Sequence, residues 1–183
     1  MAKKKDKTEE QFAAVEETLT RTEQWVENNQ KTLSTIVFTI VGVIALFLAY
    51  GKFFLEPANE DAQQELFKSV NYFEADSFNL ALYGVNGEYG LLDIVDEYGS
   101  TDAGNLANYY AGISFLNIGD NESAIDYLSD FSSDDEIVSS IAYGSIGDAY
   151  MNIGEFDDAI NFWTKAAFNS ENNFTTPIYL KRA

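Results

Sequence analysis

Carboxylates are the main reactive side chains of this chain, because its 183 residues include no histidine and no cysteine. That composition removes the usual nucleophile–histidine triads, imidazole acid–base chemistry and most zinc sites. Three consecutive acidic residues, Asp134-Asp135-Glu136, could hold calcium, but they lack the glycine and the ligand spacing of an EF-hand loop. The favoured interpretation is a solvated helix start with Ser132 or Ser133 near the cap.

A second motif, Gly84-Val-Asn-Gly87, carries two of the glycines that a phosphate-binding loop would need. No Lys-Ser or Lys-Thr pair follows it, so the sequence predicts a loop there and not a phosphate cradle. We therefore expect no catalytic residue, no cofactor and no metal site, and we expect that the protein is not an enzyme.

The charge distribution is strongly acidic beyond residue 51. From Lys52 to the end there are 5 basic and 23 acidic residues, and the 18 carboxylates between Lys68 and Lys165 are accompanied by no Lys or Arg. Such a surface repels nucleic acid and anionic lipid headgroups, so nucleic-acid binding is excluded. Solubility in a salty medium and an acidic docking face both remain open as its purpose. The absence of cysteine is compatible with an oxidising compartment.

Two stretches of the chain carry the same residue types at a constant offset of 35 residues. The matched pairs are Gly112 and Gly147, Phe115 and Tyr150, Gly119 and Gly154, Asp120 and Glu155, Ala124 and Ala159, and Leu128 and Trp163. A fixed period of this size is typical of helical repeat arrays, which bury their cores against neighbouring repeats and bind other chains. Two chance amphipathic hairpins are the alternative, which the number of matched positions disfavours.

Each matched position has a structural role in a pair of crossing helices. Small residues such as Gly147 and Ala159 allow two helices to approach closely, while Tyr150 and Trp163 fill the space on either side. Gly154 lies where the first helix must stop, because glycine adopts the left-handed conformation of a helix end at little cost. The first repeat has the same residue types in the same order, so the two hairpins should pack alike.

At these residues the chain resembles the tetratricopeptide repeat (TPR) family over about residues 105–171. The pattern of small residue, aromatic, glycine turn, alanine and aromatic is met in both repeats. Departures occur at Asn108 and Tyr143, where the family has its usual bulky residue, and at Asn121, where the turn aromatic is missing. The resemblance implies an all-α, TPR-like α-solenoid of helix–turn–helix repeats, although such membership alone does not fix a function.

The same resemblance implies a concave protein-binding surface on the first helix of each repeat. Its candidate residues are Tyr109, Ile113, Leu116, Asn117, Asp148, Met151 and Asn152. Leu106 and Ile141 hold equivalent positions, but we expect them in the core between repeats, an interpretation that stays open for the others. Amide, aromatic and flexible apolar groups suit extended or partly folded chains. Since the basic clamp of chaperone-binding TPR proteins is missing, we expect a bias to basic or apolar segments.

An uncharged stretch runs from Thr32 to Gly51 between Lys31 and Lys52. Twenty such residues span about 30 Å as a helix, which matches the hydrocarbon thickness of a bilayer. A buried strand or core helix is less favoured because of the length, the even lipophilicity and the flanking lysines of the stretch. A cleavable signal peptide is less favoured since no small-residue cleavage site follows. Counted over the whole tail, the basic residues favour the N-terminal side, so the positive-inside rule predicts a cytoplasmic N-terminus and an exported C-terminal domain.

These features together predict six segments. They are a cytoplasmic tail with an amphipathic helix (1–31), a transmembrane helix (32–55), a degenerate helical repeat unit (56–104), two TPR repeats (105–138 and 139–173) and the start of a further repeat helix (174–183). Glu56-Pro57 is expected to break the chain beyond the membrane. Thr176-Pro177 is expected to open a third repeat that never closes, so that the C-terminal end is incomplete.

This order of segments resembles the YfgM-like family of membrane-anchored TPR proteins, ancillary subunits of the bacterial Sec translocon, in its Bacteroidetes-type form. The shared motifs are Met1-Ala-Lys-Lys-Lys5, Phe67, Tyr72-Phe73, Tyr98-Gly-Ser-Thr101, Asn105-Leu-Ala107, Ala111-Gly112-Ile113 and Pro177-Ile-Tyr-Leu-Lys181. The resemblance implies a single-pass protein of the inner membrane with a periplasmic domain. Its partners would be Sec translocon subunits, periplasmic chaperones or exported polypeptides.

Two other functions remain open from the residues. One is a structural scaffold subunit of another cell-envelope complex, such as a secretion or gliding machinery. The other is an anchor whose repeats face the cytoplasm. An uncapped solenoid end exposes apolar surface, so self-association through the C-terminal end is a further expectation.

Overall fold

The computed structural model describes residues 25–170 and 172–183, and within these ranges the chain is helical without any strand. The prediction of an all-α protein is therefore confirmed. The helices are α1 (Gln30–Tyr50), a π-helical turn (Gly51–Leu55), α2 (Glu56–Glu74), α3 (Phe78–Tyr83), α4 (Leu91–Tyr98), α5 (Asp102–Ile118), α6 (Asn121–Asp130), α7 (Glu136–Ile153), α8 (Phe156–Phe168) and α9 (Thr175–Arg182). Most of the predicted cytoplasmic tail, with its amphipathic helix, lies outside the described residues.

The chain divides into two compact units between Gly51 and Lys52. The first contains α1, which has no buried residue and is long and apolar enough to cross a membrane. Two of its polar side chains are satisfied within the helix: the hydroxyl groups of Thr35 and Thr39 donate to the backbone carbonyls four residues earlier, over 2.8 Å each. Internal satisfaction of this kind is what a helix in hydrocarbon requires.

The expectation that Glu56-Pro57 breaks the chain is wrong. Helix α2 begins at Glu56, directly after the π-helical turn, and Pro57 lies in its first turn. Proline is tolerated in the first turn of a helix, and the π-helical turn directly before it is the local irregularity that accompanies the proline.

Residues 56–104 pack as a small helical group around α2. Its core is formed by Ala62, Leu66, Ala81, Leu82, Leu91 and Ile94, which continue into the alanines of α5. Two polar side chains of α2 fix the connections: Ser69 Oγ donates to the carbonyl oxygen of Tyr89 over 2.9 Å, and Asn59 Oδ1 accepts from the amide of Ala103 over 3.0 Å. The group therefore abuts the first hairpin through α5.

From α5 onward each helix packs on the one before and the one after it, and α7 also contacts α5 and α9. Helices α5 and α7 both end at a left-handed glycine, Gly119 with φ 87° and Gly154 with φ 89°. The amide of each glycine bonds back to the last turn, which is how a left-handed cap closes a helix. The result is two helical hairpins, α5–α6 and α7–α8, followed by α9.

The acidic cluster is a solvated helix start, as expected, with Ser133 next to the cap. The cap is Asp135, whose Oδ1 accepts from the amides of Ile137 and Val138 over 2.9 and 3.0 Å. Ser133 binds the cap residue itself: its Oγ accepts from the amide of Asp135 over 3.1 Å. Aspartate competes well for this position since its carboxylate also interacts with the positive end of the helix dipole.

Candidate protein-binding surface

In each hairpin the two helices cross at a glycine, and the two glycines hold matched positions. A Cβ atom on Gly112 would lie 2.5 Å from Leu128 Cγ, and one on Gly147 would lie 2.6 Å from Trp163 Cδ1. Contacts below about 3 Å do not occur for real Cβ atoms, so neither position can carry a side chain without displacing its partner. Ala124 and Ala159 are fully buried at the equivalent points of α6 and α8. The first-helix aromatics differ, since Phe115 is buried while Tyr150 is half-buried.

Helix α9 packs against α7 at a third glycine, in the same way as the helices of the two hairpins. A Cβ atom on Gly144 would meet the Tyr179 ring at 2.1 Å, and Tyr179 is only 7% exposed. Burial raises the pKa of the Tyr179 hydroxyl, and the nearby Asp148 adds to this while Arg182 opposes it. The ring of Tyr179 therefore occupies a site that exists because residue 144 has no side chain.

Asp148, a candidate surface residue, lies at the junction of α7, α8 and α9. Its Oδ1 accepts from Trp163 Nε1 over 2.9 Å, and both of its carboxylate oxygens lie 2.5 Å from an Arg182 nitrogen. The Asp148 side chain keeps 36% of its exposure and Arg182 keeps 43%. In this conformation the carboxylate is engaged within the chain.

Tyr109 and Ile113 lie between the two hairpins. Both pack against the cluster formed by Leu128, Ala142 and Ile146. The Tyr109 ring also contacts the rings of Tyr110 and Phe131, at centroid distances of 5.6 and 5.2 Å. Burial raises the pKa of the Tyr109 hydroxyl above its ordinary value of 10.0. These two side chains are half-buried and present only an edge to solvent.

The remaining candidates lie near the tips of the hairpins. Leu116 is half-buried against the N-terminal core, while Asn117, Met151 and Asn152 are exposed, Met151 to 46%. Asn117 Nδ2 donates to the carbonyl oxygen of Ile113 over 2.8 Å, and Asn152 Nδ2 donates to Asn121 Oδ1 over 2.9 Å. The latter bond links the tips of the two hairpins.

Sequence reasoning missed a groove of about 550 Å³ where α5 and α7 begin. Leu106, which was expected in the core between repeats, is half-buried: it packs against the N-terminal core cluster and also lines this groove with Phe131 and Val138. Ile141, its equivalent, is half-buried on α7. The sequence feature that indicates this groove is the spacing of Asp102 and Leu106, which lie on one face of a helix at i and i+4.

Few carboxylates of the second unit have a cationic partner. Within the described ranges the ion pairs are Lys52–Glu56, Lys68–Glu65 and Arg182–Asp148. The ammonium group of Lys165 lies 3.8 Å from the centre of the Tyr143 ring and so interacts with an aromatic face. Over the described residues, no group of three or more carboxylates is placed to hold a metal ion.

Comparison with known proteins gave no match to a protein-family model, to a curated protein or to a solved structure. The features of the molecule that bear on its function are therefore the hairpins, the groove and the apolar helix.

Proposed function

We propose that this protein is a membrane-tethered adaptor whose helical unit binds other proteins. The observation that carries the proposal is that the chain has both an unburied apolar helix of membrane length and two helical hairpins. In each hairpin the two helices cross at a glycine, and the two glycines hold matched positions. A helix without buried residues needs an apolar environment, and stacked hairpins offer an extended surface in place of a reaction site. On this proposal the protein is not an enzyme and needs no cofactor.

The finer form of the proposal is a TPR-like α-solenoid exported to the periplasm beside the Sec translocon. Its support is the 35-residue repeat, the excess of basic residues ahead of the apolar helix and the resemblance described above. The exported polypeptide, or a periplasmic chaperone, would contact the exposed amide and thioether groups of Asn117, Met151 and Asn152. Thioether side chains adapt to varied apolar partners, which suits a client range and not one fixed ligand.

The test is site-specific photocrosslinking in intact membranes. A photoreactive residue at Met151 should give adducts with translocon subunits or exported chains, and one at Asn161, exposed on α8, should not. A reporter fused after Ala183 should be active only in the exported compartment. Adducts from Met151 with unrelated envelope machinery would instead support the scaffold alternative, and a reporter active in the cytoplasm would contradict the proposed topology.

The scaffold alternative is favoured by one observation, the apolar surface near the C-terminal end. Phe174, Ile178 and Leu180 are 61%, 43% and 49% exposed, and contiguous exposed apolar surface is typical of interaction sites. Contact with a second copy or with another subunit would cover them. Crosslinks from Ile178 between two copies of the chain would establish self-association through this end.

A further inference from the structure

The groove where α5 and α7 begin combines an apolar floor with an acidic rim. Leu106, Phe131 and Val138 line it together with the carboxylates of Asp102 and Asp134, and its volume is about 550 Å³. This volume lies within the range of about 300–1,000 Å³ that small binding sites occupy. The groove is therefore large enough for one long side chain and its flanking backbone.

The groove is held open by hydrogen bonds across its base. The Asn105 side chain donates to the carbonyl oxygen of Ser132 over 2.7 Å and accepts from its amide over 3.0 Å. These two bonds tie the loop after α6 to helix α5, and the Phe131–Tyr109 ring contact anchors the start of the same loop. A surface fixed in this way loses little conformational entropy on binding.

The two rim carboxylates form no hydrogen bond or ion pair within the described residues. Asp120 and Asp135 cap helices, and Asp148 binds Trp163 and Arg182. By contrast, within the described part of the chain neither Asp102 nor Asp134 accepts a side-chain hydrogen bond or pairs with a cation. The sequence supplies no Lys or Arg between residues 68 and 165 that could neutralise them.

We propose that this groove binds a lysine or arginine side chain of an extended polypeptide segment. The aliphatic stem lies over Leu106, Phe131 and Val138, and the cationic head lies between Asp102 and Asp134. Lysine and arginine are suited to such a site because they cover apolar surface with the stem while the charge stays at the rim. The inference rests on the proposed function and names its recognition element: a basic residue flanked by apolar ones.

Asp102 also has a role in the fold, and the experiment must distinguish that role from ligand binding. It lies in the first turn of α5, where any carboxylate interacts with the helix dipole. The first turn of α8 provides a matched control, because it carries two carboxylates, Asp157 and Asp158, that do not line the groove. Replacing that pair removes the same amount of charge near the start of a helix.

The experiment uses the full chain in a zwitterionic detergent and a fluorescein-labelled peptide of alternating arginine and leucine. Fluorescence anisotropy is measured at about 0.05 M and 0.3 M salt, where exposed charges are screened to different extents, with empty micelles as background. Two further peptides replace arginine by glutamate, or leucine by serine. The protein variants are Asp102→Asn/Asp134→Asn, the control Asp157→Asn/Asp158→Asn, and Val138→Arg, which introduces a cation into the groove.

We expect the arginine–leucine peptide to bind, more tightly at low salt, and each substituted peptide to bind more weakly. Asp102→Asn/Asp134→Asn should lower the affinity about tenfold at low salt, as expected for two partly exposed ion pairs, and Val138→Arg at least as much. The control should change it less than about twofold. Thermal unfolding should be alike for all variants, so that a loss of binding reports on the groove.

Three results would overturn the inference. An equal loss in the groove variant and the control would mean that only net charge matters. Binding that is unaffected by either pair but lost in a fourth variant, Met151→Arg, would place the peptide at the hairpin tips, and the adaptor function would stand without the groove. Failure of all three peptides to bind would contradict the groove alone, because crosslinking from Met151 tests the adaptor function separately.

Discussion

Trp163 Nε1 donates a hydrogen bond to Asp148 Oδ1 over 2.9 Å, which joins the large filler of α8 to a residue of α7 that sequence reasoning assigned to a binding surface. Trp163 is 7% exposed, so its N–H has little access to water and depends on this acceptor. Arg182 approaches the same carboxylate from α9. One carboxylate therefore holds three successive helices.

This relationship predicts an order of stability losses. Asp148→Ala leaves the buried indole N–H without an acceptor and should lower the free energy of unfolding by about 1–3 kcal/mol. Arg182→Gln removes only a partly exposed ion pair, so its effect should stay below about 1 kcal/mol. Urea unfolding followed by Trp163 fluorescence in a Trp25→Phe background measures both, because the chain has two tryptophans. A larger loss for Arg182→Gln would contradict the assignment.

The close approach of α7 and α8 predicts that a large side chain at their crossing is damaging. Gly147→Leu or Ala159→Leu should overpack the α7–α8 contact and destabilise the unit by roughly 1–3 kcal/mol. Asn161→Leu is the control, since it adds the same side chain at an exposed position of α8. The denaturant midpoint is the measurement. An unchanged midpoint for both core variants would show that the helices do not cross at Gly147.

The left-handed end of α7 allows backbone strain to be measured without a packing effect. A Cβ atom on Gly154 would meet nothing within 4 Å, yet φ there is 89°. Gly154→Val should therefore cost about 1–2 kcal/mol through conformation alone. Gly154→Asn should cost less, because asparagine tolerates this region better than a β-branched residue. Equal losses for valine and asparagine, measured by urea unfolding, would contradict this explanation.

The helices were predictable where a local rule acts alone. The loop predicted at Gly84-Val-Asn-Gly87 follows from its turn residues, and residues 84–90 form neither helix nor strand in the structure. The 35-residue offset predicted which side chains face each other across a hairpin. Such pairs lie close in sequence, so their spacing carries the information.

Features that depend on competition or on distant segments were missed. Pro57 lies in the first turn of a helix that directly follows a π turn, which no local propensity indicates. The helix start at the acidic cluster was predicted, but which of its neighbouring serine and aspartate residues forms the cap depends on the loop geometry. Asp148 was assigned to a surface because its partner Arg182 lies 34 residues further along the chain. The groove likewise depends on Asn105 bonding to Ser132, 27 residues away.

We expect a loss of stability at high pH from two tyrosines, the buried Tyr179 and the half-buried Tyr109. Burial raises the pKa of Tyr109 and of Tyr179 above 10.0, so both stay neutral in the folded chain after they would ionise in the unfolded one. Their contribution is present below pH 10 and is lost as the pH rises above it. The free energy of unfolding should fall between about pH 9 and 11, and less steeply in Tyr109→Phe. Parallel pH profiles for the variant and the parent chain would show that Tyr109 is not responsible.

Helix α1 predicts a strong effect of one charge at its centre. Ile44 is 52% exposed in a helix with no buried residue, so in a membrane it faces lipid or a partner's apolar surface. Ile44→Arg should oppose insertion by about 2.5–3.5 kcal/mol on the insertion scale and shift the protein from membranes to the soluble or aggregated fraction. Thr32→Arg, near the end of the same helix, places its charge where the side chain reaches the interface and should have little effect. Carbonate extraction of membranes measures both. If Ile44→Arg remains as firmly in the membrane as Thr32→Arg, then α1 is not the segment that crosses it.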